Sequence, residues 1–107
     1  MNKNKVILYI DTSDNKKIIV RLKKGEEKFE LIREIETWAS QIILPAIEDI
    51  LRRSDTRLSE ITEIMVKTGP GSFTGIRIGI AIANTLGWLL NIPVNGKIGI
   101  LVDAVYK

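Results

Sequence analysis

An α/β domain with a mixed sheet is what the sequence predicts, on three observations. Residues 64–90 read as a strand, a tight loop (Gly69-Pro70-Gly71-Ser72) and a long apolar helix whose one charge is Arg77. Residues 5–33 hold three short apolar or alternating runs divided by turn formers, the pattern of an antiparallel meander. A helical pattern over 36–53 lies between these two units.

Taken in order, residues 5–10 (Lys-Val-Ile-Leu-Tyr-Ile) are nearly all apolar, which predicts a central strand. Asp11-Thr12-Ser13-Asp14-Asn15 ends it with turn residues. Residues 16–23 alternate, with Ile18, Val20 and Leu22 on one face and Ile19, Arg21 and Lys23 on the other. Lys24-Gly25 marks a turn, and 27–33 alternates again with Phe29 and Leu31 inward. Over 36–53, Thr37 is a candidate cap, and Trp38, Ile42, Pro45, Ile47, Ile50 and Leu51 fall at helical spacings. Pro45 removes a backbone bond, a loss of about 3 kcal/mol unless a kink is wanted, so a bend is expected with the proline on a packed face. Ser54-Asp55 closes the helix, and a connection with a cap signal at Ser59 leads to a fourth strand over 63–68. Residues 91–94 (Asn-Ile-Pro-Val) begin a fifth strand, and the apolar tail 98–106 is read as a last helix. The order is β-β-β-α-β-α-β. Right-handed crossovers make strands one, four and five parallel and place two and three antiparallel beside them. The expectation is a five-stranded sheet of order 3-2-1-4-5 with helices, half of an actin-like (ribonuclease-H-like) architecture, as a single domain over residues 1–107.

The helix over 73–90 competes with a strand, because Ile76, Ile78, Ile80 and Ile82 alternate with Arg77, Gly79 and Ala81. Its length, about three times that of a usual strand, decides for helix, and Ser72 or Thr74 can cap its start. Gly75, Gly79, Ala83 and Gly87 recur every four residues and form one flat stripe on that helix. Each interior glycine costs about 1 kcal/mol relative to alanine, so close approach of another backbone is expected to offset it. A helix apolar nearly all round is covered on more than one side. Either its own neighbouring helix or a partner molecule supplies the second cover. A membrane span is disfavoured by the short length and by Arg77 and Asn84 within it. Trp38 and Trp88 are expected as core or interface anchors.

The 107 residues are 45% hydrophobic with a net charge of +3. No histidine and no cysteine occurs, which excludes Ser–His–Asp and Cys–His catalysis, histidine-built zinc sites and disulfides. No cofactor and no metal is expected. Met1 to Lys5 is basic, but the apolar run after it breaks at Asp11, so no signal peptide is read and the expected compartment is the cytoplasm. Nine Lys/Arg against six acids in the first 35 residues describe a hairpin edged by lysines rather than a nucleic-acid footprint.

Right-handed topology sets the ends of strands one and four side by side, at the edge where α/β sheets take ligands. Asp11 and Thr12 would then face Gly69, Gly71 and Ser72, with a helix amino end close by that attracts anions. The glycine spacing is not the dinucleotide fingerprint, and no lysine stands where a P-loop needs one. Two readings stay open: an anion loop, or glycines that permit a sharp reversal while Asp11 caps its own turn. The first carries the rival function, a nucleotide- or anion-binding enzyme using Gly69–Gly75 and Asp11.

The run Gly-Pro-Gly-Ser-Phe-Thr-Gly-Ile-Arg-Ile-Gly at 69–79 resembles the TsaB (YeaZ) family. Ile10-Asp11-Thr12-Ser13, Leu44-Pro45-Ala46-Ile47 and Ile92-Pro93-Val94 support the resemblance in family order. It implies an actin-like fold and a non-catalytic role in threonylcarbamoyl modification of the adenosine beside the anticodon of certain tRNAs. It implies pairing with the catalytic subunit TsaD through two helices of the first domain, in a four-helix interface, with homodimers when alone and at most indirect tRNA contact. The residues expected at that contact are Trp38, Ile42, Pro45 and Asp49 from the first helix. From the second they are Gly75, Arg77, Gly79, Ile80, Ala83, Asn84 and Gly87. On this reading Gly79→Leu or Ala83→Leu blocks association and leaves the monomer folded. Family members usually continue into a second domain, absent here, so no nucleotide cleft is expected to close.

Overall fold

The computed structural model describes residues 5–36 and 38–105. Its elements are β1 (Val6–Asp11), β2 (Lys17–Lys24), β3 (Glu27–Glu34), α1 (Ala39–Arg53), a 3-10 turn at Leu58–Glu60, β4 (Glu63–Val66) and α2 (Phe73–Leu90). They form one sheet of order β3-β2-β1-β4, with β1 antiparallel to β2 and parallel to β4. The meander is as expected, and Gly25 takes the left-handed conformation (φ 62°) that its two-residue turn requires.

Alternation along the strands sorts the side chains. Leu8, Ile10, Ile18, Val20, Leu22, Leu31 and Ile64 are buried on one face. Both helices lie on that face, α1 over β2 and β3, α2 over β1 and β4, and they touch each other. α1 buries Ala39, Ile43, Ala46, Ile47, Ile50 and Leu51. That phase turns Pro45 outward, so the expectation of a proline on a packed face is corrected: Pro45 is exposed. The candidate cap Thr37 lies outside the described residues.

Two elements at the C-terminal end differ from expectation. The fifth strand shrinks to a single parallel bridge, Ile64 to Val94. It does lie beside β4, where the Ile64 and Asn95 backbone N–H groups donate to Pro93 O (3.0 Å) and Ile64 O (2.8 Å). Pro93 brings no N–H to a ladder, and Asn95 turns left-handed (φ 51°) directly after the bridge. No helix forms over the described part of the tail, 98–105. Gly96 and Gly99 adopt left-handed φ of 81° and 74°, the chain bends over 98–100, and the segment passes beside α2. Asn84 holds it there, its amide N–H donating to Val102 O (2.9 Å) and its Oδ1 accepting from Val102 N–H (3.0 Å).

The contested segment 73–90 is helical. Ser72 caps it, its hydroxyl oxygen accepting from Gly75 N–H at 3.4 Å. Its length and mean hydropathy of 1.4 would suffice for a membrane span; here Gly75, Ile76, Gly79, Ile80, Ala83, Leu86 and Gly87 are buried. The small-residue stripe is met closely, by another stretch of backbone at Gly75 and by side chains at Gly79 and Gly87. A Cβ on Gly75 would fall 2.2 Å from Thr12 O, and one on Gly79 would fall 2.3 Å from Thr12 Oγ1. A Cβ on Gly87 would fall 2.3 Å from Val94 Cγ2. The neighbour is therefore the chain itself. Thr12 is fully buried, and its hydroxyl donates to Gly75 O at 2.6 Å.

Gly79→Ala is expected to destabilise the fold by about 1–3 kcal/mol, the range for overpacking a close contact. Thr12→Val keeps the shape, removes the hydroxyl donor, and should cost about 1 kcal/mol. Urea unfolding followed by circular dichroism measures both; unchanged midpoints would contradict the packing.

Candidate partner-binding face

The residues expected at a partner contact separate into two groups. Gly75, Gly79, Ile80, Ala83 and Gly87 are buried inside the fold, which corrects their placement on an outward face. The physical reason is the one just described: Thr12 and Val94 fill the flat side of α2. Asn84 is half-buried and holds Val102, and Asp49 is half-buried and bound to its own chain. Ile42 is half-buried against the core. Trp38, Pro45 and Arg77 are exposed.

What α2 turns outward is the opposite side. Thr74, Arg77, Ala81, Thr85 and Trp88 are exposed, recurring at the three- and four-residue spacings of a single helix face. The Arg77 guanidinium lies over the Phe73 ring, 5.5 Å from its centroid, an i,i+4 cation–π contact that fixes both at the surface. Trp88 is 79% exposed and Trp38 is 64% exposed. Leu44 and Phe73 are exposed as well; sequence reasoning missed both, and Phe73 could have been found from its position one turn before Arg77. Because α1 and α2 are neighbours on one side of the sheet, these apolar groups belong to one outer layer.

Asp49 stands where α1 passes β3. Arg33 and Arg52 both donate to its carboxylate, Arg52 at 2.7 Å. The hydrogen bond from Arg33, then that from Arg52, holds the Asp49 carboxyl below its ordinary value of 3.8, against the opposing effect of burial. The pair ties the first helix to the strand edge.

The loop after β4 does face the end of β1, as the topology predicts. Ser72 N–H donates to Ser13 O at 2.7 Å. Gly69 and Gly71 have φ of 139° and 152°, and a Cβ on Gly71 would fall 2.6 Å from Ser13 O. Two amides of the helix start, those of Ser72 and Gly75, are already satisfied by Ser13 O and the Ser72 hydroxyl. Asp11 accepts from Ser13 N–H (3.0 Å) and from the Ser13 hydroxyl (2.6 Å), the turn-capping arrangement. Thr12 points into the helix contact rather than into a cleft.

A family model described as TsaD, tRNA N6-adenosine threonylcarbamoyltransferase, matches residues 36–96. The chain belongs to this family. Its detailed likeness is to the TsaB (YeaZ) members, as the motif at 69–79 implied. It is 37% identical over 89 residues to the tRNA threonylcarbamoyladenosine biosynthesis protein TsaB of Bacillus subtilis, covering 83% of this chain and 39% of that one. Against TsaB of Escherichia coli the identity is 40% over 92 residues, covering 84% and 38%. YeaZ from Pseudomonas aeruginosa superposes with a TM-score of 0.79 at 31% identity, covering 84% of this chain and 42% of that one. The chain thus spans about two fifths of the length of the TsaB relatives it matches.

The depressed Asp49 carboxyl makes a pH prediction. A group whose folded value lies below its unfolded one stabilises above the unfolded value of 3.8 and loses that contribution as pH falls through the folded value. Asp49→Asn should therefore lower the melting temperature at pH 6 and narrow the gap to wild type below pH 3.8. A gap that persists unchanged into acid would remove the ion pair as its cause.

Proposed function

We propose that this chain acts as a non-catalytic binding piece in the formation of threonylcarbamoyladenosine in tRNA, and that α1 and α2 hold a TsaD-type subunit. One observation carries the reading: the outer faces of two touching helices present Leu44, Phe73 and Trp88 to solvent, with Trp38 exposed directly before the first of them, in a chain whose relatives are named for that biosynthesis. Two large aromatics left in water on neighbouring helices are the residue types that anchor protein interfaces. Arg77, rigid over Phe73, adds a fixed donor for a partner's acid. A pair of helices from each side gives a four-helix contact. In the absence of the partner the same face pairs two copies about a two-fold axis.

The non-catalytic part is supported by the residues. The sequence has no histidine and no cysteine. Asp11 is engaged in its own turn, and the amides of Ser72 and Gly75 already serve internal acceptors.

Mixing the chain with the TsaD-type protein of the same organism and weighing the product by light scattering tests this directly. A one-to-one complex is expected at micromolar concentration. Trp88→Ala and Arg77→Glu should each weaken it at least about tenfold, or 1.4 kcal/mol, with circular dichroism unchanged. Retention of full affinity in both variants, or no complex at all, contradicts the assignment.

A further inference from the structure

Residues 98–105 lie along one flank of α2, and three main-chain groups hold them there. The Asn84 amide donates to Val102 O and accepts from Val102 N–H, a two-point clasp on one residue. Val105 N–H donates to Thr68 O at 2.7 Å. Gly69 makes room for that second contact, since a Cβ on it would fall 2.2 Å from Val105 O. Side chains alternate over 101–105: Val102 and Ala104 are half-buried, whereas Leu101, Asp103 and Val105 are exposed.

The segment is anchored at few points. Val102 and Ala104 pack against the core, while its largest apolar groups, Ile98, Ile100 and Leu101, stand in water, Leu101 with 76% of its surface. Gly96 and Gly99 at its root have left-handed φ, with open space where a Cβ would stand. Few buried groups and few hydrogen bonds mark a unit that opens on its own, well below the free energy of global unfolding, and the glycines supply its hinge. Closed, the segment shapes the surface of α2. Two hollows lie between it and the helix, of about 360 Å³ and 340 Å³, and Asn84 and Leu101 line both. Trp88 forms one wall of the first, with Ile100 and Leu101 opposite. Arg77 and Ala81 line the second on the helix side. Neither hollow keeps its second wall once the segment lifts away.

We propose that residues 98–105 form a hinged strap latched by Asn84, and that the TsaD-type subunit binds the latched form, seating an apolar side chain between Trp88 and Leu101. The occupant follows from continuity: Arg77, Ala81 and Trp88 belong to the outward face of α2 and also line the two hollows. A subunit docked on Trp88 therefore meets Ile100 and Leu101 as well. Contacts that exist only with the strap closed give the subunit a higher affinity for that state and draw the equilibrium towards it. Asn84 is a positioning residue here: it acts through Leu101, whose place it sets. This inference rests on the function proposed above.

Amide hydrogen exchange of the chain, alone and with the TsaD-type subunit, tests it. Alone, the Val102 and Val105 amides should be protected, yet exchange faster than that of Ile10 in the central strand. Asn84→Ala should strip protection from both. Val105 is the decisive reporter, because its amide is bonded to Thr68 rather than to Asn84 and is exposed only if the strap opens as one piece. Asn84→Asp keeps the acceptor for Val102 N–H, drops the donor, and should fall between. Adding the subunit should slow both amides. By calorimetry, Asn84→Ala should weaken the complex about tenfold if it leaves the strap closed about a tenth of the time, and Leu101→Ala should weaken it with circular dichroism unchanged. Should Asn84→Ala also lower protection at Ile10, Leu101→Ala, at an exposed position, decides alone. Three results would each overturn the strap and leave the function proposed above in place: Val105 protection retained in Asn84→Ala, faster exchange of both amides on adding the subunit, or full affinity in Asn84→Ala and Leu101→Ala where Trp88→Ala weakens the complex. No complex with the unaltered chain would remove that function and this inference together.

Discussion

The contact between Thr12 and the glycine side of α2 is the constraint on which the rest of the structure depends. Its hydroxyl donates to Gly75 O, and its side chain takes up the space that a Cβ on Gly79 would need. A buried threonine with its donor satisfied costs little, and the two glycines let a helix approach the end of β1 at backbone distance. This fixes the rotation of α2 about its axis. Once Gly75, Gly79, Ala83 and Gly87 are turned down, Arg77, Ala81 and Trp88 are turned up. The same contact draws the loop at Gly69–Ser72 against Ser13, so the edge of the sheet that hosts ligands in many α/β proteins is here held together by internal hydrogen bonds.

Around that contact the molecule divides into two surfaces of different character. The helix layer shows solvent a set of separate large anchors, Trp38, Leu44, Phe73 and Trp88, with the Arg77–Phe73 stack among them. The other face of the sheet carries half-buried Ile7, Tyr9, Ile19 and Met65, with Arg21, Lys23, Lys28 and Glu30 in register beside them. The first resembles one half of a helix–helix interface. Asp49 braces the two layers, because its arginine partners come from β3 and from α1.

Much of this was legible in the residues. Period-two alternation located β2 and β3, and the apolar run at β1 predicted its central place between β2 and β4. The motif at 69–79 carried the family, and Ser72 capped the helix it precedes. What the four-residue spacing of small side chains could not reveal was the identity of the neighbour. Spacing reports how closely something approaches, and Thr12 lies 63 residues away from Gly75 in sequence. Gly75, Gly79, Ile80, Ala83 and Gly87 were thereby placed outward when they face in, whereas Arg77 does face out. Trp88 and Phe73 were hard to place because an apolar side chain reads as core whether or not anything covers it. The fifth strand amounts to one bridge at Val94, after Pro93, which brings no N–H to a ladder, and no helix forms over the described tail, where Gly96 and Gly99 are left-handed.

Accessibility of the two tryptophans tests the central claim most directly. Trp38 and Trp88 are the only ones in the chain, and both stand on the helix layer with more than half of their surface in water. Acrylamide quenching should be strong for the chain alone and fall severalfold when the TsaD-type subunit is added in a tryptophan-free form. Unchanged quenching in a complex shown by light scattering to have formed would mean that the partner sits elsewhere, and that the outer face of α1 and α2 is not the surface that holds it.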